Sequence, residues 1–199
     1  MTLPSPETLL AMAVFALATS ASPGPVNLIG AMSGARFGPR RALPFVTGAT
    51  FCFLALLLGL GLGLVAGIGW IGALAKPMTL AGSAWLLWLA WGLARGGAGP
   101  EAGGMTTPPG FWSGVAVQGL NPKAWAVVIS ALSTFVLPLD DRRTGLAVFA
   151  ALFTILCWLS LAAWVWGAAR LALLAPRSFN RAMAILLALS VVWMLAGAF

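Results

Sequence analysis

The chain has 199 residues, of which 61% are hydrophobic and only 8% are charged. Soluble domains are roughly half apolar and a quarter charged, so this composition excludes an ordinary soluble protein and predicts an integral membrane protein. The net charge of +7 does not indicate a nucleic-acid partner, because the eleven Lys and Arg residues are scattered among short connections instead of forming a basic patch.

Clusters of charge, proline and glycine divide the chain into six apolar stretches. A transmembrane helix needs about 20 mostly apolar residues, so six spans with short connections use almost the whole length. The sequence therefore predicts an all-α membrane protein in which residues 1–199 form a single transmembrane domain. The predicted helices cover residues 8–33, 42–66, 71–94, 111–137, 144–173 and 181–199.

The first stretch has the short apolar core and the small residues, Ala18 to Ala21, of a cleavable signal peptide. A signal peptide also begins with basic residues, whereas Glu7 is the charge that precedes this stretch. A retained first helix is the favoured interpretation.

Arginines are distributed unevenly between the connections, and this distribution predicts the orientation. The connections after the first, third and fifth helices hold seven arginines, whereas those after the second and fourth hold two, offset by Asp140 and Asp141. Positively charged connections remain in the cytoplasm, so both termini are predicted to lie outside it. The seven are Arg36, Arg40, Arg41, Arg95, Arg170, Arg177 and Arg181.

Prolines interrupt the first and the fourth stretch near their middles, at Ser22 to Pro25 and at Asn121 to Lys123. Proline removes a backbone donor and clashes with the preceding turn, and in lipid the freed carbonyls must find partners or line a polar cavity. Breaks at matching places in two halves are typical of transporters built from inverted repeats. The pattern predicts two inverted three-helix repeats around a central transport site, so the domain is read as a transporter.

The residues beside the breaks favour a ligand with both signs of charge. Lys123 is a charge within an apolar stretch, where such residues are usually functional or extend to the membrane surface. Lys123 and the N-termini of the helix segments after each break would hold a carboxylate, while carbonyls before each proline would accept from an ammonium. Simple proline-kinked packing remains the alternative on spacing alone. The predicted substrate-binding residues are Pro23, Gly24, Pro25, Asn27, Gln118, Asn121, Pro122 and Lys123.

Three motifs resemble those of the LysE/RhtB family of amino-acid exporters. SPGPVN at residues 22–27, followed by Gly34, Gly38 and a basic connection, resembles the family's N-terminal signature. Residues 110–136, which contain GLNPKA, resemble its fourth-helix signature, and GSAWL at residues 82–86 resembles the end of its third helix. Val26 stands where the family often has Asn or Asp, so the polar contact at this position differs.

The resemblance covers nearly the whole chain and implies a six-helix carrier of the bacterial inner membrane that exports amino acids by proton antiport. No acidic residue falls within the predicted spans, which favours small neutral substrates of the threonine, homoserine or branched-chain type. A lysine or arginine exporter remains an alternative. The sequence does not identify the group that exchanges the proton. The three alternatives are that Lys123 titrates, that the proton takes another route, and that transport is uncoupled.

Two glycine series recur at every fourth residue, at residues 30, 34 and 38 and at residues 59, 63 and 67. They form smooth helix faces where a neighbour can approach closely. Such faces are also compatible with a non-transporting membrane subunit or a homodimer.

Cys52 and Cys157 lie in the second and fifth stretches, and the chain has no His. Both are expected to be buried packing residues, so we predict no metal site, no disulfide and no cofactor. A membrane thiol oxidoreductase would need a cysteine in each broken helix, so the sequence does not indicate an enzyme.

Overall fold

The computed structural model describes residues 2–65 and 106–174, together with the isolated positions 182, 185, 186, 189 and 192. Every regular element within these residues is a helix. The predicted third helix and most of the predicted sixth lie outside the described residues. The arrangement of six spans in two inverted repeats therefore stays a prediction.

The described part of the chain contains six α-helices and a π-helical segment between the fifth and the sixth. They are α1 (Pro6–Ala21), α2 (Pro25–Phe37), α3 (Pro39–Val65), α4 (Phe111–Gly119), α5 (Pro122–Ala131), the π segment (Leu132–Val136) and α6 (Arg142–Leu174).

The predicted break in the first helix is present. α1 and α2 are separated by three residues and bent by 58°. α2 continues to Phe37, four residues beyond the predicted end, and stops at Gly38, whose N–H donates to the carbonyl of Gly34 at 3.1 Å. Gly38 has a φ of 86°, a conformation that glycine adopts without strain. α3 begins at once with Pro39, so the first connection is a single residue.

The predicted break in the fourth helix is also present, between α4 and α5. Asn121 caps α5, because its side-chain oxygen accepts from the backbone N–H of Lys123 at 3.1 Å. Pro122 occupies the first helical position, where its missing N–H costs nothing.

α6 is the longest described helix, with 33 residues, or about 50 Å at 1.5 Å per residue. Asp141 precedes it and accepts hydrogen bonds from the backbone N–H of Thr144 at 3.1 Å and from its hydroxyl at 2.8 Å. These bonds lower the pKa of the Asp141 carboxyl. α3 and α6 are each long and apolar enough to cross a membrane, and the bent pair of α1 and α2 is a third candidate.

The core lies where α6 packs against α1, α2 and α3, and α4 packs along α3. Phe45, Phe149 and Phe153 are fully buried within it. Gly48 of α3 and Gly114 of α4 allow the closest approach, since a Cβ at either position would overlap the backbone of the other helix.

The predicted glycine faces are partly wrong. Gly34 does pack against Val165 of α6, and Gly30 lies near the same side chain. Gly38 instead ends α2. The series at residues 59, 63 and 67 stays a prediction, because Gly67 lies outside the described residues. The four-residue spacing did not reveal that Gly38 serves the turn.

Candidate functional site at the two breaks

The first break leaves the last carbonyls of α1 without helical partners, because the two prolines that follow have no N–H to donate. Side chains take their place. The side-chain amide of Asn27 donates to the carbonyl of Ser20 at 2.8 Å. The indole of Trp164, on α6, donates to the carbonyl of Ala21 at 3.0 Å. The last carbonyls of α1 are therefore hydrogen-bonded by side chains of α2 and α6, as a break within lipid requires.

Lys123 completes this arrangement from the other break. Its ammonium donates to the carbonyl of Ser22 at 2.8 Å, to the hydroxyl of Ser22 at 2.7 Å and to the carbonyl of Pro23 at 3.4 Å. The side chain lies against Gly24, where a Cβ would stand 3.2 Å from both the Cδ and the Nζ of the lysine. The lysine side chain is thus directed to the first break. It joins two breaks that are about one hundred residues apart in sequence.

At the second break, the hydrogen bonds are made by residues that are close to it in sequence. The side-chain amide of Asn121 donates to the side-chain oxygen of Gln118 at 3.1 Å. The indole of Trp125 donates to the carbonyl of Gly119 at 2.8 Å. In each break, therefore, an indole binds a carbonyl at the end of the first half-helix.

A cavity of about 30 Å³ lies beside these contacts. This volume holds about one water molecule, so the site is narrow and must widen to admit an organic ligand. None of the residues that line it is acidic. The stacked rings of Phe53 and Phe153, with centroids 4.0 Å apart, form an apolar part of the wall. The full lining is Thr19, Ser20, Val26, Asn27, Phe53, Gln118, Asn121, Lys123, Ala124, Val127, Phe153, Cys157 and Leu161.

The eight residues predicted to bind substrate divide into two groups. Asn27, Gln118, Asn121 and Lys123 line the cavity. Pro23, Gly24, Pro25 and Pro122 shape the two breaks, and the first two of these contact Lys123 directly. All eight lie at the junction of the broken helices, and their role in binding stays a prediction.

Sequence reasoning missed Ser20, Ser22 and Cys157, among other residues of the site. Ser22 belongs to the motif that marks the break, so its place before Pro23 was an available signal. Ser20 and Cys157 line the cavity, and Cys157 is buried, as expected for a packing residue. Nothing in the sequence separates Cys157 from its apolar neighbours, because its position at the cavity depends on how α6 packs against α1.

Long apolar helices, two of them broken, and a lysine held by main-chain oxygens at the junction define a multi-pass membrane protein of the transporter class. The family model of the LysE type translocators matches residues 17–199, and the chain belongs to this family. It is a transporter and not an enzyme.

Curated relatives include proteins named cysteine/O-acetylserine efflux protein. Those of Salmonella choleraesuis and Salmonella typhimurium are each 32% identical over 200 residues, with 95% of this chain and 96% of the relative covered. One from Escherichia coli O1:K1 is 33% identical over 165 residues, which covers 77% of this chain and 82% of the relative. No solved structure matches the chain.

Proposed function

We propose that this chain exports small neutral amino acids from the cytoplasm, in the bacterial inner membrane, through a site between its two broken helices. The observation that carries the proposal is the ammonium of Lys123, bound by the oxygens of Ser22 and Pro23. These oxygens form a binding site for an ammonium group, and every amino-acid substrate carries one.

Binding would proceed by exchange of one ammonium for another. The substrate ammonium replaces that of Lys123 at the Ser22 and Pro23 oxygens. The substrate carboxylate faces the N-terminus of α2, where Gly24 precedes the first helical residue and no described side chain caps the helix. Uncapped N–H groups and the helix dipole both favour an anion at that place.

The same exchange supplies a route to proton antiport. Two ammonium groups cannot share one small, half-buried site without strong repulsion, so the displaced Lys123 gives up its proton to the cytoplasm. After the substrate leaves on the other side, Lys123 takes a proton from there and returns to the oxygens. One proton thus enters for each amino acid exported, and no carboxylate or histidine is needed at the site.

The cavity wall favours neutral substrates. Its described residues include the cation Lys123 and no carboxylate, so a lysine or arginine side chain would find no counter-charge. The relatives named cysteine/O-acetylserine efflux protein support small neutral substrates of that kind. Cysteine and O-acetylserine therefore join threonine and homoserine among the proposed substrates, ahead of the larger branched-chain amino acids.

The test is a substrate screen in proteoliposomes that contain the purified protein. Release of preloaded radiolabelled cysteine, O-acetylserine, threonine, leucine and lysine is measured with and without a pH gradient. The gradient drives protons into the liposomes while the amino acid leaves. We expect the small neutral amino acids to leave faster than from protein-free liposomes, and the gradient to accelerate them. Faster release of lysine than of any neutral amino acid would favour a basic amino-acid exporter, and no release at all would indicate a non-transporting subunit.

A further inference from the structure

Three buried hydroxyls have no hydrogen-bond partner among the described residues: those of Ser20, Ser33 and Thr50. Such groups are rare in native proteins, because a buried hydroxyl that lacks a partner loses the bonds it makes with water. In helices they are usually satisfied by the carbonyl one turn back. Thr19 and Thr154 of this chain do so, with bonds of 2.7 Å to Phe15 and Ala150.

Two of the three hydroxyls lie near the same cysteine. Ser20 is 8% exposed and Thr50 is 4% exposed, and Cys157, which is itself 4% exposed, lies beside both. Ser20 and Cys157 line the cavity, whereas Thr50 does not. Sulfur is a weak donor and a weak acceptor, so this cluster retains hydrogen-bonding capacity beside the cavity.

The cluster is next to the charged end of the site. Cys157 and Lys123 line the same cavity, and the carbonyl of Ser20 already accepts from Asn27, another cavity residue. A zwitterion held by the Ser22 oxygens would therefore place its side chain within reach of Ser20 and Cys157.

We propose that Ser20 and Cys157, positioned by Thr50, form the side-chain subsite of the transporter and select amino acids with a hydrogen-bonding group on or next to Cβ. Hydroxyl, thiol and ester side chains are the classes it takes. This inference rests on the proposed function. Its physical basis is that a site with buried polar groups rejects a ligand that leaves them without a partner.

The test uses pairs of amino acids that have nearly the same shape and differ in one polar group. Export of threonine against valine, and of cysteine against 2-aminobutyrate, is measured by competition in proteoliposomes. The wild-type protein should prefer the polar member of each pair by about ten-fold or more. Ser20→Ala and Thr50→Val should bring the ratio close to one, whereas Thr50→Ser, which keeps the hydroxyl, should retain it.

Ser33→Ala is the matched control. Ser33 is also a buried hydroxyl without a described partner, but it does not line the cavity, so this variant should keep the wild-type ratio. The subsite is overturned if Ser20→Ala and Thr50→Val export amino acids with the wild-type ratio, a result that leaves the proposed function intact. If the wild-type protein exports no amino acid, both proposals fail. If Ser20→Ala is poorly inserted, Thr50→Val and Cys157→Ala decide the question by the same ratio.

Discussion

At the scale of single residues, the proposed mechanism depends on the ammonium of Lys123 at the second break, which is bound by oxygens of the first break. A lysine there has a property that no arginine shares, since it can lose its proton on binding of a competing cation, whereas arginine remains charged at all accessible pH values. Replacing Lys123 by Arg therefore keeps the positive charge at the site and removes the ability to release a proton.

We expect Lys123→Arg to remove the dependence on the proton gradient. A permanent cation at the Ser22 oxygens cannot be neutralised when the substrate arrives, so exchange of internal for external labelled threonine should also fall, by about ten-fold or more. The magnitude is that of one charge-assisted hydrogen bond. Threonine exchange is measured without a gradient and net threonine release at several imposed pH gradients. A wild-type response of net release to the gradient in this variant would exclude Lys123 as the coupling group.

At the scale of helices, the two breaks are stabilised in unequal ways. The first depends on distant residues, Lys123 and Trp164, whereas the second is satisfied by residues within seven positions of it. A movement that separates the two breaks therefore disrupts the contacts of the first and leaves those of the second intact. The helices that flank the site, α3 and α4, are by contrast packed backbone against backbone at Gly48 and Gly114.

Gly114→Ala should destabilise the protein, because the added methyl group overlaps the backbone of Phe45 on α3. Overpacking of this kind costs about 1–3 kcal/mol. In detergent, we expect a thermal transition several degrees below that of the wild-type protein. It is measured by loss of the monodisperse peak in size-exclusion chromatography after heating. Gly167→Ala, where a Cβ would meet no described atom within 4 Å, is the matched control. Equal transitions for the two variants would show that the close approach of α3 and α4 is not required.

At the scale of the whole molecule, the described helices have two ends of different charge. The backbone N–H of Thr2 donates to Asp141 at 3.3 Å, so the N-terminal segment lies beside the start of α6. Arg40 and Arg41 share a surface hollow with Trp166, toward the other end of α6. One end thus carries Arg36, Arg40, Arg41 and Arg170, and the other carries Glu7, Asp140, Asp141, Arg142 and Arg143.

The predicted orientation, in which the arginine-rich end is cytoplasmic, is tested with reporter fusions. Alkaline phosphatase is active only outside the cytoplasm, so a fusion after Asp141 should be active and a fusion after Arg41 should be inactive. A third fusion, after Phe199, should be active if both termini are extracytoplasmic. The reverse pattern for the first two would contradict the orientation, and an inactive third would contradict the helix count.

The breaks could be predicted from sequence because their signals are local: two prolines around Gly24 in the first, and Asn121 before Pro122 in the second. A lone proline is not sufficient, since α3 continues through Pro44. The partner of Lys123 could not, since Ser22 lies about one hundred residues away and their meeting depends on how the two breaks pack together. The cluster of Ser20, Thr50 and Cys157 was equally hidden. Its members come from three apolar helices, and their meeting depends on the rotation of each helix about its axis.

The central claim is that an ammonium must occupy the oxygens of the first break, from Lys123 in the empty carrier and from the substrate in the loaded one. The most direct test compares net export with exchange for Lys123→Ala in proteoliposomes. Exchange should persist, because the carrier is loaded in both directions. Net export should fall by about ten- to one hundred-fold, since the empty carrier would return with unpaired oxygens that cost about 1–3 kcal/mol. Arg143→Ala, at an exposed position, should export normally, and net export by Lys123→Ala at the wild-type rate would contradict the account.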